Sequence, residues 1–376
     1  MRDWYLLRKG TKRVRLLTEQ DIDYISLGAS VLGSGGGGDP KVGRLLAKNF
    51  IRKYGPVELI SVDELSDEDI VVPVSGMGAP TVTLEKLPSE IEVTNPLELL
   101  EKSYEKKADV VMPIEVGGMN SLYPVGAAAK KHLPLLDADT MGRAFPEAQM
   151  VTFYLHGYQP TSVAIGDEKG NTALIHPING LWSEYLSRAL TVEMGGSISV
   201  SDYFLPGKDV KTSVVKGTLS LARDIGELLL TAQGENINIF DSLLKMLNGF
   251  DLFDGKITDI TRKTTGGFNF GSVFLEGINH NVGEHFNVEF QNENLVAKKG
   301  DVILASVPDL IVLLDVETGR PITTERLHYG TRVKVVSFPC DKQWRTSFGI
   351  ETAGPRYFGY NFDYIPVEIR QRGEAK

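Results

Sequence analysis

The chain has 376 residues, more than double the usual domain size, so two domains are the default expectation. Its 42% hydrophobic and 24% charged residues are ordinary for a globular protein, and the net charge of −9 argues against nucleic acid or an anionic membrane as main partner. A single cysteine excludes an intramolecular disulfide and a Cys-rich metal site.

The N-terminus carries a basic cluster (Arg2, Arg8, Lys9, Lys12, Arg13, Arg15) but no apolar signal core, and no membrane-length apolar run follows. A soluble, cytoplasmic protein is expected. Thr18 with Asp21 looks like a helix start, and Ile22, Ile25, Ala29 and Leu32 recur at helical spacing. The Gly33–Gly38 loop breaks that helix. Asp39 then caps a new one, with Pro40 at its first position and Val42, Leu45, Leu46 and Phe50 as the apolar stripe. Strands are expected at 57–62 and 70–74, and a helix at 96–107.

Residues 110–150 carry the most functional information. The apolar run Val110–Ile114 ends in Glu115 and a Gly117-Gly118 turn. A segment rich in small residues (Gly126 to Ala129) reads as a helix, and Leu135-Leu136 then ends in Asp137 and Asp139, followed by Arg143 and Glu147. The spacing leaves room for crossover connections, so a parallel arrangement is expected, with three loops sharing the strand edge where ligands bind. Carboxylates gathered at two strand ends suit general acid–base work or binding of a divalent metal, and Arg143 could pair with a substrate carboxylate.

Beyond residue 180 the pattern changes. Helices are expected at 181–192 and 214–233, then short strands at 268–276, 286–290, 302–305, 311–316 and 333–338 with turns such as Asn292-Glu293-Asn294 between them. The expected fold is thus an α/β N-terminal domain with a mainly parallel sheet (residues 1–170) and a β-rich α+β C-terminal domain (171–376).

Gly33-x-Gly35-x-x-Gly38 formally matches a dinucleotide fingerprint, but a helix precedes it, and Asp39-Pro40 stand where a Walker loop needs Lys-Ser/Thr. No nucleotide is expected as cofactor. Gly35, Gly36, Gly37 and Gly38 feeding a helix N-terminus could still contact an anionic group. His280 and His285 lie across a loop, not at helical metal-site spacing, and nothing around Cys340 marks it as a nucleophile.

The segments LGSGGGGDP (32–40), EVGGMNSLYPVGAAAKKHLPLLDADTMGRAFPEAQM (115–150) and GPRYFGYNFDYIPVE (354–368) resemble the hydantoinase/oxoprolinase-associated family now called S-methyl thiohydantoin desulfurase. The resemblance implies two domains and hydrolysis at C2 of a hydantoin-like ring, releasing a thiol. On that reading Glu115, Asp137 and Asp139 supply the base or bind metal. Asn120 bonds the ring, Arg143 holds an anionic side chain, and Gly35–Gly38 and Glu147 line the substrate. The partner is a small molecule, and a homo-oligomer is compatible with all this. Two competing expectations are a non-catalytic accessory subunit of a hydantoinase- or oxoprolinase-type complex, and a nucleotide- or phosphate-binding enzyme.

Overall fold

A computed structural model describes residues 16–83, 85–86, 88–235 and 238–373. The basic cluster from Arg2 to Arg15 lies outside the described residues. Helix α1 (Glu19–Leu32) begins at a capping box in which Thr18 and Asp21 satisfy each other's backbone N–H groups. Helix α2 (Pro40–Tyr54) begins where Asp39 accepts from the amides of Lys41 and Val42. Both starts match the sequence expectation. Helix α3 (Glu90–Ser103) starts earlier than the Pro96 expected. Ser89 and Glu92 form a second capping box, and Pro96 is carried inside the helix with its ring against Gly166. Pro96 forfeits one helical hydrogen bond, and the capped first turn outweighs that loss.

The first sheet contains β1 (Leu16–Leu17), β2 (Val57–Ile60), β3 (Ile70–Gly78), β4 (Val110–Met112) and β5 (Leu135–Leu136). After it come β6 (Ala138–Asp139), β7 (Val163–Gly166), β8 (Thr172–Ile175), β9 (Ser197–Ser201), β10 (Leu205–Pro206) and β11 (Val215–Lys216). The sheet order is β1-β2-β5-β4-β3-β9-β7-β8, with β10 also on β3; β6 and β11 pair separately. Its centre, β2-β5-β4-β3, is parallel, as the crossover spacing predicts, and antiparallel strands flank it on both sides. The crossovers are α3 between β3 and β4, and α4 (Tyr123–Lys131) between β4 and β5. Gly126 of α4 sits against the ring of Phe50, the close packing its small face implies.

The turn at residue 170 joins β7 to β8, and the same sheet takes in β9 and β10, so the first layer runs on past that turn. Helices α5 (Gly180–Glu193) and α6 (Thr218–Glu235) follow the two expected helical stretches. α6 crosses α1 at two glycines. A Cβ on Gly28 would fall 1.8 Å from the carbonyl oxygen of Ala222, and one on Gly226 would fall 1.9 Å from that of Tyr24.

The C-terminal part is a curved antiparallel half-barrel of seven strands. They are β12 (Phe250–Thr265), β13 (Phe268–Gly277), β14 (His285–Gln291), β15 (Glu293–Lys299), β16 (Val302–Ser306), β17 (Leu310–Asp315) and β18 (Arg332–Phe338), in the order β16-β15-β14-β13-β12-β18-β17. Phe253 and Phe286 stack at 4.7 Å inside it. Two of these strands carry no clear signal in the sequence. β12 is largely polar and exposed towards its end, and β15 begins inside the Asn-Glu-Asn stretch expected to be a turn. Asn292 alone makes that turn, at φ +56, and Glu293 already pairs with Gln291 across the ladder. The N-terminal core and part of the second sheet form one continuous apolar cluster, from Leu17 to Ala353. Among the described residues no helix is long and apolar enough to cross a membrane.

Candidate active site

The carboxyl ends of β3 and β4 open into a cleft of about 100 Å³ between the two halves of the chain. Its polar lining includes Glu115, Asn120, Glu147, Arg188, Asp202 and Glu293, with Gly37 and Gly38 beside them. This is the edge at which an open α/β sheet takes ligands.

Asn120 reaches across to β3, accepting from the N–H of Gly76 at 2.6 Å and donating to its carbonyl at 3.0 Å. That pairing fixes which side of the amide donates, and Nδ2 also donates to Glu115 Oε1 at 2.6 Å. The other carboxyl oxygen of Glu115 accepts from the amide of Phe145 at 3.3 Å. Glu115 is 4% exposed, and burial pushes its pKa up to about 7 against the opposing pull of Asn120 and Phe145.

Glu293 enters from the second domain, at the start of β15. It is 3% exposed, and among the described residues its Oε2 has no hydrogen-bond partner. Burial raises its pKa well above the carboxylate range, and the charge of Glu115 raises it further, while Arg143 and the N–H of Gly37 oppose. A charge on Glu115 thus disfavours ionisation of Glu293. Sequence reading missed Glu293 because a glutamate between two asparagines looks like a turn. The one available signal was Gly36. A Cβ there would fall 1.8 Å from Glu293 Oε1, so any larger residue would displace the Glu293 side chain where the two domains meet.

The glycine loop is a seam rather than an anion cradle. The carbonyls of Gly37 and Gly38 accept from the amides of Asn120 and Met119, and those of Ser34 and Gly35 accept from Asn294 and Thr324 of the second domain. A Cβ on Gly118, whose φ is +31, would lie 1.9 Å from the oxygen of Gly38, so this packing needs glycine on both sides. The following helix N-terminus is already filled by Asp39, which also takes two bonds from Arg326. Of the four glycines expected to touch substrate, Gly37 and Gly38 line the cleft, whereas Gly35 and Gly36 pack against Asn294 and Glu293.

The remaining sequence candidates divide. Glu147 lines the cleft and accepts from Gln149 at 2.6 Å and from the Tyr357 hydroxyl at 2.5 Å. Asp137 does not line it: its carboxyl accepts from the amide and hydroxyl of Ser220 in the first turn of α6. Asp139 is fully buried and accepts from the amides of Val116 (2.8 Å), Met141 (3.1 Å) and Gly142 (2.8 Å), holding the loop next to Glu115. Burial pushes its pKa up to about 7 although those amides oppose.

Arg143 is also fully buried, outside the cleft lining. Its guanidinium donates to the carbonyls of Ala144, Pro308, Asp309 and Asn294, three of them in the second domain, and lies 4.6 Å from the Phe145 ring centre. It ties the domains together and supplies a positive charge near Glu115 and Glu293, leaving no free face for a substrate carboxylate.

Among the described residues, no group of three His, Cys, Asp or Glu side chains is placed to hold a metal ion. His280 stands 3.8 Å from Asp254 on the outside of the second sheet. Cys340 is buried near Asp309 and Tyr364, and burial pushes its thiol far up, which disfavours a nucleophilic thiolate.

The fold is similar to a crystal structure of a protein from Chromobacterium violaceum, with a TM-score of 0.78 over 94% of this chain and 99% of that one, at 24% identity. No curated protein matches. Residues 20–177 match the S-Me-THD-like N-terminal domain and residues 178–367 the S-Me-THD-like C-terminal domain, so the chain belongs to the S-Me-THD-like family.

Proposed function

We propose that this chain is a cytoplasmic hydrolase of S-methyl thiohydantoin-type rings, releasing methanethiol and leaving a hydantoin. The observation that carries the reading is the Glu115–Glu293 pair, two buried carboxyls of raised pKa lining one small cleft. Such a pair holds one proton between two sites, which is what addition of water to an amidine-like carbon needs.

Glu293, the more strongly raised, carries the proton, and Glu115, bonded to Asn120, is the group that ionises. Glu115 takes a proton from water as its oxygen bonds to C2, while Glu293 gives its proton to the ring nitrogen. The tetrahedral centre then collapses. Its hydroxyl returns a proton to Glu293 as the C2–oxygen double bond forms, the C2–sulfur bond breaks, and Glu115 hands its proton to the departing sulfur. Both carboxyls end as they began. The Gly117–Gly118 loop, held by Asp139, and the Arg143 tie position this pair, and Glu147 closes one wall. No other group is required to balance the reaction.

The test is methanethiol release, followed with a thiol-reactive chromophore, from S-methyl thiohydantoins bearing different C5 substituents. Turnover with at least one of them is expected, with Glu115→Gln slower by about a hundredfold or more. Folded protein that releases no thiol from any of them would contradict the assignment.

A further inference from the structure

Asp202 follows strand β9 and lines the same cleft. It is 7% exposed, and among the described residues no hydrogen bond offsets its burial, which pushes its pKa up to about 7. Among the other buried carboxyls, Asp139 and Asp309 are each held by two or more donors. A carboxyl desolvated without partners is costly, and it is retained where a ligand supplies the missing bonds. A second orphan lies in the same lining: Ser187 on α5 is 1% exposed, and among the described residues its hydroxyl has no partner.

We propose that Asp202 accepts a hydrogen bond from a ring N–H of the ligand, with the Ser187 hydroxyl available to the adjacent carbonyl, so that the cleft selects a cyclic amide edge. The inference rests on the cleft being the substrate site of the proposed hydrolase. The cleft is small. A five-membered ring whose reacting carbon meets Glu115 and Glu293 therefore presents its remaining edge to the other polar groups of the lining. A cis-amide edge offers one donor and one acceptor, the complement of a carboxyl and a hydroxyl. Asp202 is then a specificity-determining residue, and ligands lacking that N–H are rejected because its carboxyl would stay unpaired.

The experiment measures equilibrium binding of hydantoin, 1-methylhydantoin and 3-methylhydantoin to the full chain by calorimetry. At least one methylated probe should bind about tenfold or more weakly than hydantoin, the loss expected for a bond to a charged acceptor. Asp202→Leu, which keeps bulk but removes the acceptor, should weaken hydantoin by a similar factor and reduce the spread among the three probes to about twofold. Asp202→Asn, closer in shape, should weaken hydantoin about fivefold and serves if the leucine variant does not fold. Equal binding of all three probes to the wild type, unchanged hydantoin affinity in both variants, or no hydantoin binding at millimolar concentration would each overturn the proposal. Thiol release decides the parent reading separately. Asp202-dependent N–H discrimination without turnover would leave this inference standing and sink the hydrolase. Turnover with no such discrimination would do the reverse.

Discussion

Asp309 and Glu293 are both buried acids of the second domain, and the fold treats them in opposite ways. Asp309 accepts from the amides of Cys340 (2.9 Å) and Val367 (2.8 Å), from the Tyr364 hydroxyl (2.9 Å) and from Arg345 (3.0 Å). It gathers the C-terminal segment into one hub. Glu293 has an orphaned Oε2 and a raised pKa. In the first domain the difference is one of place: Asp139 and Glu115 both accept hydrogen bonds and burial pushes both pKa values up to about 7, but only Glu115 lines the cleft. Acids whose bonds are filled away from the cleft act as braces. Acids that line it are the ones placed to exchange protons with a ligand.

The contrast would break if the braces could be removed cheaply. Asp309→Ala leaves two buried amides and Arg345 without their acceptor, and should lower unfolding free energy by about 3 kcal/mol or more in denaturant titration. Asp139→Asn should cost about 1–3 kcal/mol, because its amide end faces backbone donors, while the rate per folded molecule stays within about tenfold of wild type.

The working pair has the opposite sign. Glu115 has a folded pKa of about 7 against an ordinary 4.5. Between those values the folded state holds more protons than the unfolded one, so this residue's contribution is fully present below pH 4.5 and is lost as pH rises through 7. Glu115→Gln removes the titrating group and should therefore flatten the pH dependence of stability between 5 and 8. An unchanged pH dependence over that range would count against the burial argument. The smallest effect concerns the glycine seam. Asp39→Ala should lose about 1 kcal/mol as a missing helix cap, with hydantoin affinity unchanged. Weaker binding there would restore the anion-cradle reading of the loop.

Much of this frame can be read from the chain. Periodicity and capping residues locate α1, α2, α5 and the parallel strands, because those elements are decided locally. Glu115, Asn120 and Glu147 are legible too, since strand-end loops of an α/β sheet face one edge. Asp137, Asp139 and Arg143 look identical in sequence and differ only in what they meet. Ser220 lies 83 residues from Asp137, and the carbonyls of Pro308 and Asp309 lie more than 160 residues from Arg143. No local pattern reports such partners. Glu293 and Asp202 went unnoticed for the same reason, being placed in the cleft by tertiary packing, with Glu293 also disguised by turn-like neighbours.

Methanethiol release by Glu293→Gln, measured beside its thermal midpoint, tests the paired-carboxyl mechanism most directly. Loss of about a hundredfold or more in kcat with a midpoint at or above wild type is predicted, because the substitution removes a proton-transfer group and an unsatisfied buried acid together. A folded Glu293→Gln protein releasing thiol at the wild-type rate would contradict it.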